Sequence, residues 1–159
     1  MNRKIVLLFL SLALLSTSHA QTLTVSGAVS KPLVLEASAL KAMTHADVRG
    51  KDHDGKEHRY SGIPLVDLLK RAGAPMGSEL RGKNLTRYVV VKAADGYEAV
   101  FALPELDPEF ATRTIILADS VDGAALTATT GPYRIVVPDE KKQARWVRGV
   151  TVIDVRIAN

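Results

Sequence analysis

Apolar and polar residues alternate along much of the chain, which predicts a domain built mainly of strands. The alternation is clear over residues 22–29, where Leu23 and Val25 are expected to face inward and Thr24 and Ser26 outward. Further extended segments are expected at residues 34–35, 85–93, 97–103, 114–118, 133–137 and 150–157. A polar loop over residues 139–148 separates the last two strands.

Asp-Gly pairs predict where neighbouring strands turn back on each other. Residues 45–49 and 58–61 are expected to form one hairpin around the pair at 54–55. The pair at 95–96 joins the strands on either side of it into a second hairpin. Glycine tolerates the positive φ that such short turns require.

The strongest helix signal begins at Pro64 and ends at Gly73. Leu65, Leu68 and Leu69 recur at helical spacing, so one face of this helix should pack on the core. A short helix over residues 36–43 and a helical turn at residues 104–110 are also expected. Strands dominate and the helices are short and interspersed, so the predicted fold class is α+β with a mostly antiparallel or mixed β-sheet.

The first twenty residues have the three parts of a secretory signal peptide. Arg3 and Lys4 precede an apolar run over residues 5–15, and Ser18 and Ala20 occupy the −3 and −1 positions of a cut before Gln21. We therefore expect a signal peptide over residues 1–20, a single domain over residues 21–159, and a periplasmic or secreted protein. The alternative is an uncleaved membrane anchor, but the apolar run falls short of the roughly 20 residues that span a bilayer.

Composition excludes several classes of function and structure. Loss of Arg3 and Lys4 leaves 19 basic against 17 acidic side chains, and aromatic residues make up only 5% of the chain. A nucleic-acid partner is not expected, because such a protein shows a clustered basic face and stacking aromatic residues. The chain has no cysteine, which excludes disulfides and a lipoprotein anchor. No serine elbow or thiol indicates nucleophilic catalysis, so no catalytic residue is assigned.

Five segments occur in an order that is similar to a known family. Residues 60–73 read YSGIPLVDLLKRAG, residues 94–97 read ADGY, and residues 116–118 read ILA, followed by DG at 122–123. Residues 131–138 read GPYRIVVP and residues 145–147 read RWV. Together they resemble the sulfite-oxidase-like, oxidoreductase molybdopterin-binding domain family over roughly residues 23–155. The resemblance implies that family's fold, with mixed or antiparallel sheets and short helices, and a molybdopterin cofactor.

The residues that would hold that cofactor are missing. In the family's enzymes a cysteine thiolate on the strand before the YSGIPL-like segment ligates molybdenum, and the corresponding residues 46–50 read ADVRG. The loop after Pro138 has no glycine until Gly149 and begins with Asp139 and Glu140. The resemblance also implies export of the loaded enzyme by a twin-arginine signal, and Arg3-Lys4 is not one. We therefore expect no cofactor and no metal.

A basic cluster with an aromatic neighbour is the best candidate for a ligand site. Arg134, Arg145 and Trp146 could form a pocket for a small anion, because guanidinium groups pair bidentately with carboxylates and phosphates. The same loop carries three further basic residues, Lys141, Lys142 and Arg148. Four residues elsewhere in the chain could contribute to the same cleft: Tyr60, Arg87, Tyr88 and Tyr97. The alternative is a salt-bridged surface loop, with Asp139 and Glu140 as partners and Trp146 in the core.

The histidines at the first hairpin raise a second possibility. His53 and His58 bracket the turn, and with Asp52 or Glu57 they could form an exposed zinc or copper site. The alternative is a solvated hairpin tip, which is charged because such tips are polar.

Three functional hypotheses remain open at the level of sequence. The first is a cofactor-free periplasmic module that binds a small anionic ligand or a periplasmic protein. The second is a molybdopterin-dependent oxidoreductase with atypical ligation, loaded after export. The third is an interaction subunit of an exported complex or sensor.

Overall fold

A computed structural model describes residues 22–158, so the signal peptide predicted for residues 1–20 lies outside the described residues. The strands in chain order are β1 (Leu23–Gly27), β2 (Leu33–Leu35), β3 (Ala46–Lys51), β4 (Glu57–Pro64), β5 (Arg87–Ala93), β6 (Glu98–Ala102), β7 (Ile116–Val121), β8 (Ala124–Ala125), β9 (Arg134–Val136) and β10 (Val150–Ile157). Two α-helices, α1 (Ala37–Lys41) and α2 (Leu65–Arg71), interrupt them. Short 3-10 helices cover Gly77–Glu79, Gly82–Thr86, Leu103–Leu106 and Gln143–Arg145.

The strands form two sheets of five strands each. The first has the order β2-β1-β10-β5-β6, and the second runs β3-β4-β7-β8 with β9 also paired to β7. Strand β1 lies parallel to β10, with Val25 opposite Ile153, while the other pairs are antiparallel. The α+β class with mixed and antiparallel sheets is confirmed.

Alternating side chains of β1 and one face of α2 supply core residues, as predicted. Leu23 and Val25 are fully buried, and so are Leu65, Leu68 and Leu69 of the helix. Strand β4 runs directly into α2, because Pro64 ends the strand and caps the helix. The helix ends at the predicted position, where Gly73 adopts a φ of 72°.

Both Asp-Gly hairpins are present, with Gly55 and Gly96 at positive φ. Three details differ from the predictions. The strand expected from residue 85 begins at Arg87, because the chain before it winds into a 3-10 helix. The loop over residues 139–148 contains the 3-10 helix Gln143–Arg145, and the two-residue strand β8 carried no periodic signal.

The second sheet sets up the site. Strand β9 places Arg134 opposite Ala118 of β7, while β3 and β4 lie on the other side of β7. The loop after β9 then returns across the sheet, so that Trp146 lies against Gly50 of β3. Within residues 22–158, no helix has the length and apolar character needed to cross a membrane.

Candidate functional site

Arg134 is a buried cation whose charge is matched by one carboxylate. Its side chain is only 2% exposed, and all three residues of its strand, β9, are buried. Nη1 donates to Oδ2 of Asp52 at 2.7 Å and Nη2 to Oδ1 at 2.9 Å. This two-pronged geometry is the strong form of an arginine–carboxylate pair. The hydrogen bonds from Arg134 hold the pKa of Asp52 well below its usual range.

Two aromatic rings enclose this ion pair. The guanidinium carbon of Arg134 lies 5.0 Å from the centre of the Trp146 ring and 5.6 Å from that of Tyr60. The two rings meet edge to face at 5.6 Å. The Tyr60 hydroxyl donates to Asp52 at 2.7 Å, and burial raises the pKa of Tyr60 above its usual value. Asp52, Tyr60, Arg134 and Trp146 together are called the Arg134 cluster below.

Trp146 reaches this position because β3 carries a glycine beneath it. A Cβ atom at Gly50 would lie 2.5 Å from the Trp146 ring, too close for any side chain without displacing the indole. The indole Nε1 donates to the carbonyl oxygen of Val137 at 3.2 Å, which fixes the ring in its plane. Glycine inside a strand commonly marks such a close approach.

Two cavities adjoin the Arg134 cluster. The first, called the Trp146 cleft, has a volume of about 300 Å³ and lies between the two hairpin turns and the loop over residues 139–148. Its polar and aromatic walls are His53, Asp95, Tyr97, Gln143, Trp146 and Arg148. The second, called the Arg134 cavity, has a volume of about 230 Å³. It is lined mainly by Asp52, His58, Tyr60, Asp122, Thr127, Thr130 and Arg134, with Val121 and Leu126 as its apolar wall.

The Trp146 cleft contains a cation without a counter-charge. Arg148 is exposed, and its side chain forms no hydrogen bond or ion pair with any residue of the described chain. The other polar walls are engaged in fixing the cleft: the Tyr97 hydroxyl donates to the carbonyl of Ala144 at 2.6 Å, and the Gln143 amide donates to that of Lys51. The cleft is therefore held open by backbone contacts, with one free guanidinium at its wall.

The structure brings together two of the three predicted site residues. Arg134 and Trp146 are in contact, but Arg145 points elsewhere. The Arg145 guanidinium pairs with Glu105 at 3.0 Å and with Glu140, and lies 4.6 Å from the centre of the Phe101 ring. Both predicted arginines are thus already matched by carboxylates. The alternative for this loop holds in two respects, since Glu140 is a salt-bridge partner and Trp146 is 3% exposed.

The aromatic and basic residues that the sequence suggested for the same cleft do not all lie together in the structure. Tyr60 belongs to the Arg134 cluster and Tyr97 lines the Trp146 cleft. Arg87 and Tyr88 lie on β5 of the other sheet, where Arg87 donates to the carbonyl of Ala28. Asp52 is the site residue that sequence reasoning missed as the partner of Arg134. A separation of 82 residues gave no signal for that pair.

His58 bridges two carboxylates instead of facing a metal. Nδ1 lies 2.6 Å from Asp122 and Nε2 lies 3.0 Å from Asp54. Ionised carboxylates only accept hydrogen bonds, so His58 donates to both of them at once only when both ring nitrogens carry protons, in the imidazolium form. Hydrogen bonds to Asp122 and Asp54 accordingly raise the pKa of His58.

Three of the four proposed zinc or copper ligands are bound to other partners. Asp52 is held by Arg134, Glu57 pairs with Arg49 at 3.0 Å, and His58 contacts Asp122 and Asp54. His53 lies instead at the wall of the Trp146 cleft. Across residues 22–158, no group of three or more histidine, cysteine, aspartate or glutamate side chains is arranged to hold a metal ion.

Comparison with known proteins gives a family and a structural neighbour. The family model described as oxidoreductase molybdopterin binding domain matches residues 50–159. Among solved structures, the sulfane dehydrogenase SoxCD from Paracoccus pantotrophus is similar, with a TM-score of 0.67 and 20% sequence identity over 85% of this chain. The match covers 38% of the SoxCD chain, so this chain spans less than half of that neighbour. At this identity the likeness shows a common fold. No curated protein matches the chain in sequence.

The first prediction concerns the pH dependence of the His58 bridge. Because the pKa of folded His58 is raised above 6.5, its stabilisation is fully present below pH 6.5 and is lost as pH rises through the folded value. The difference in free energy of unfolding between the native chain and His58→Gln should therefore shrink as pH increases above 6.5. Denaturant unfolding at several pH values measures it, and a difference that grows with pH would contradict the bridge. His45, whose pKa is raised by Asp119, is present in both proteins and cancels.

The second prediction concerns the buried ion pair. Asp52→Ala leaves the Arg134 guanidinium buried without a counter-charge, which should lower the free energy of unfolding by about 3–5 kcal/mol. Glu57→Ala is the matched control, because it also removes the acid of an arginine pair on the same hairpin. That pair is 73% and 60% exposed, so its loss should cost less than about 1 kcal/mol. Equal losses in urea unfolding would show that Arg134 does not depend on Asp52.

Proposed function

This chain belongs to the oxidoreductase molybdopterin binding domain family, and we propose that it is a member that holds no molybdenum and binds a small anion instead. The two halves of this proposal rest on different parts of the site. The first concerns β3 and the Trp146 ring above it. The second concerns the Trp146 cleft and Arg148.

The residues present do not fit the metal centre that the family resemblance implies. That centre needs a thiolate, and the chain has no cysteine at residues 46–50 or anywhere else. Aspartate, valine and arginine in this stretch supply no soft anionic ligand for the metal. At the end of the stretch, Gly50 is covered by the Trp146 ring, so a larger ligating side chain there would have to displace the indole. No step of a reaction is therefore assigned to molybdenum.

The uncompensated charge of Arg148 is the observation that carries the anion proposal. Arg134 and Arg145 are matched by carboxylates, whereas Arg148 has no side-chain partner in the described part of the chain. Its planar guanidinium suits the two oxygens of a carboxylate or the oxygens of a phosphate or sulfate. Lys141 and Lys142 in the same loop are exposed and add positive charge nearby.

The shape of the cleft narrows the class of anion. The Trp146 ring and the half-exposed Tyr97 give it two aromatic walls, and about 300 Å³ lies at the lower limit for small-molecule sites. We propose a small organic anion with a flat or apolar part, which packs mainly on the half-exposed Tyr97 ring, since Trp146 is 3% exposed, while its charged end meets Arg148. Asp95 at the same wall disfavours a second negative group on the ligand.

We also propose that the domain acts in the periplasm or outside the cell. The support is the signal-like pattern of residues 1–20, which lacks a twin arginine and suits export of an unfolded chain. A protein exported in that way would carry no pterin cofactor across the membrane. A cofactor-free binding or accessory role in that compartment fits both features.

The third prediction tests the anion site with the purified domain. Benzoate, which has one carboxylate on a flat ring, should raise the melting temperature, while citrate, phosphate and sulfate at the same ionic strength should raise it less. At 100 times its dissociation constant a ligand adds about 2.7 kcal/mol to the free energy of unfolding. Trp146 is the single tryptophan of the chain, so binding should also change its fluorescence.

Arg148→Ala should abolish both effects, because it removes the free guanidinium and leaves the backbone contacts of the cleft in place. The matched control is Arg81→Ala, since Arg81 is also exposed and does not line the cleft. Equal loss of binding in both variants would show that the anion responds to the overall positive charge of the domain and not to a site at Arg148. Stabilisation of the Arg148→Ala variant by the same anion would remove Arg148 from the site.

A further inference from the structure

The Arg134 cluster leaves one strong hydrogen-bond donor unused. Asp52 is saturated: its two oxygens accept from both Nη atoms of Arg134, from the Tyr60 hydroxyl and from the backbone N–H of His53. Those bonds engage the outer end of the guanidinium. The Nε–H of Arg134 is buried and has no acceptor within hydrogen-bonding distance among residues 22–158. Buried donors are seldom left unpaired in folded proteins, because desolvating them without a partner is costly.

Arg134 also lines the Arg134 cavity, which supplies room beside this side chain. The cavity's apolar wall consists of Val121 and Leu126, with the Tyr60 ring next to them. Thr127 and Thr130 also line the cavity, and their hydroxyl groups are hydrogen-bonded to each other at 3.0 Å. An occupant would thus lie beside the unused guanidinium donor, a pair of threonine side chains and an apolar surface.

The charged groups around this cavity are already bound to one another. Arg134 is paired with Asp52, and His58 contacts Asp122 at 2.6 Å and Asp54 at 3.0 Å. An anion would gain the Nε–H hydrogen bond but would meet these carboxylates, while a cation such as an ammonium group has no acceptor to offer the Nε–H of Arg134. The lining therefore favours an uncharged molecule, unlike the Trp146 cleft with its free Arg148.

We propose that the Arg134 cavity is a second binding site, which takes a small uncharged molecule through a carbonyl or hydroxyl oxygen that accepts from Arg134 Nε–H. A volume of about 230 Å³ suits a small molecule, such as a simple amide, ketone or alcohol. The apolar part of the molecule packs on Val121 and Leu126. This site is separate from the anion site and does not depend on it.

The Nε–H group itself reports on this proposal, because arginine Nε–H resonances are resolved in proton–nitrogen correlation spectra. N,N-dimethylformamide is the uncharged probe, since it has an acceptor oxygen and no acidic proton. Acetate is the anionic probe of similar size. Dimethylformamide should shift the Arg134 Nε–H resonance with a saturable dependence on concentration, and acetate should not shift it at this site.

A cavity-filling variant provides the structural control. Leu126→Trp is designed to fill the cavity with a large ring from a residue outside the Arg134 cluster, so the dimethylformamide shift should disappear. Leu85→Trp adds the same ring at an exposed position outside the cavity and should keep the shift. Three results would overturn the proposal. The first is a shift that rises linearly with dimethylformamide concentration and is shared by all amide resonances. The others are an equal shift with acetate and a shift that persists in Leu126→Trp.

Discussion

The bidentate pair between Arg134 and Asp52 is the interaction on which the site depends. A guanidinium that is 2% exposed requires a carboxylate within reach, and here that carboxylate lies 82 residues earlier in the chain. The pair ties the end of β3 to β9 across the second sheet. Tyr60 and Trp146 enclose it, and Gly50 is the residue that lets the indole lie so close to β3.

This arrangement explains why one fold presents two chemically different cavities. Around the Arg134 cavity, Arg134 and His58 are bound by carboxylates, and the Nε–H of Arg134 is left without an acceptor among the described residues. On the Trp146 cleft the Arg148 guanidinium is exposed and unmatched within the described residues. The fold is that of a molybdopterin-binding domain, while the position where a thiolate is expected is occupied by a strand that packs beneath tryptophan.

The sequence predicted what depends on neighbours along the chain. Alternation in β1, the leucine spacing of α2 and the Asp-Gly turns each follow from interactions over a few residues, and all three are present. The partners of the arginines could not be predicted in this way. Arg134 and Arg145 were predicted to line an anion pocket, with pairing inside their own loop as the alternative. Sheet order brings Arg134 to Asp52 instead, and Arg145 reaches Glu105 across 40 residues as well as Glu140 of its own loop. Gly50 could be seen in the sequence, but the reason for a glycine there could not. The reason is that the loop over residues 139–148 places the Trp146 ring against this residue.

We propose that this member of the family holds no molybdenum, because no thiolate is available and Trp146 packs against the strand where one is expected. Elemental analysis by plasma mass spectrometry, on protein purified from its native host, measures the metal content. We expect molybdenum at the background level of the buffer and no pterin released on denaturation. One molybdenum atom for each protein chain, accompanied by pterin, would contradict it.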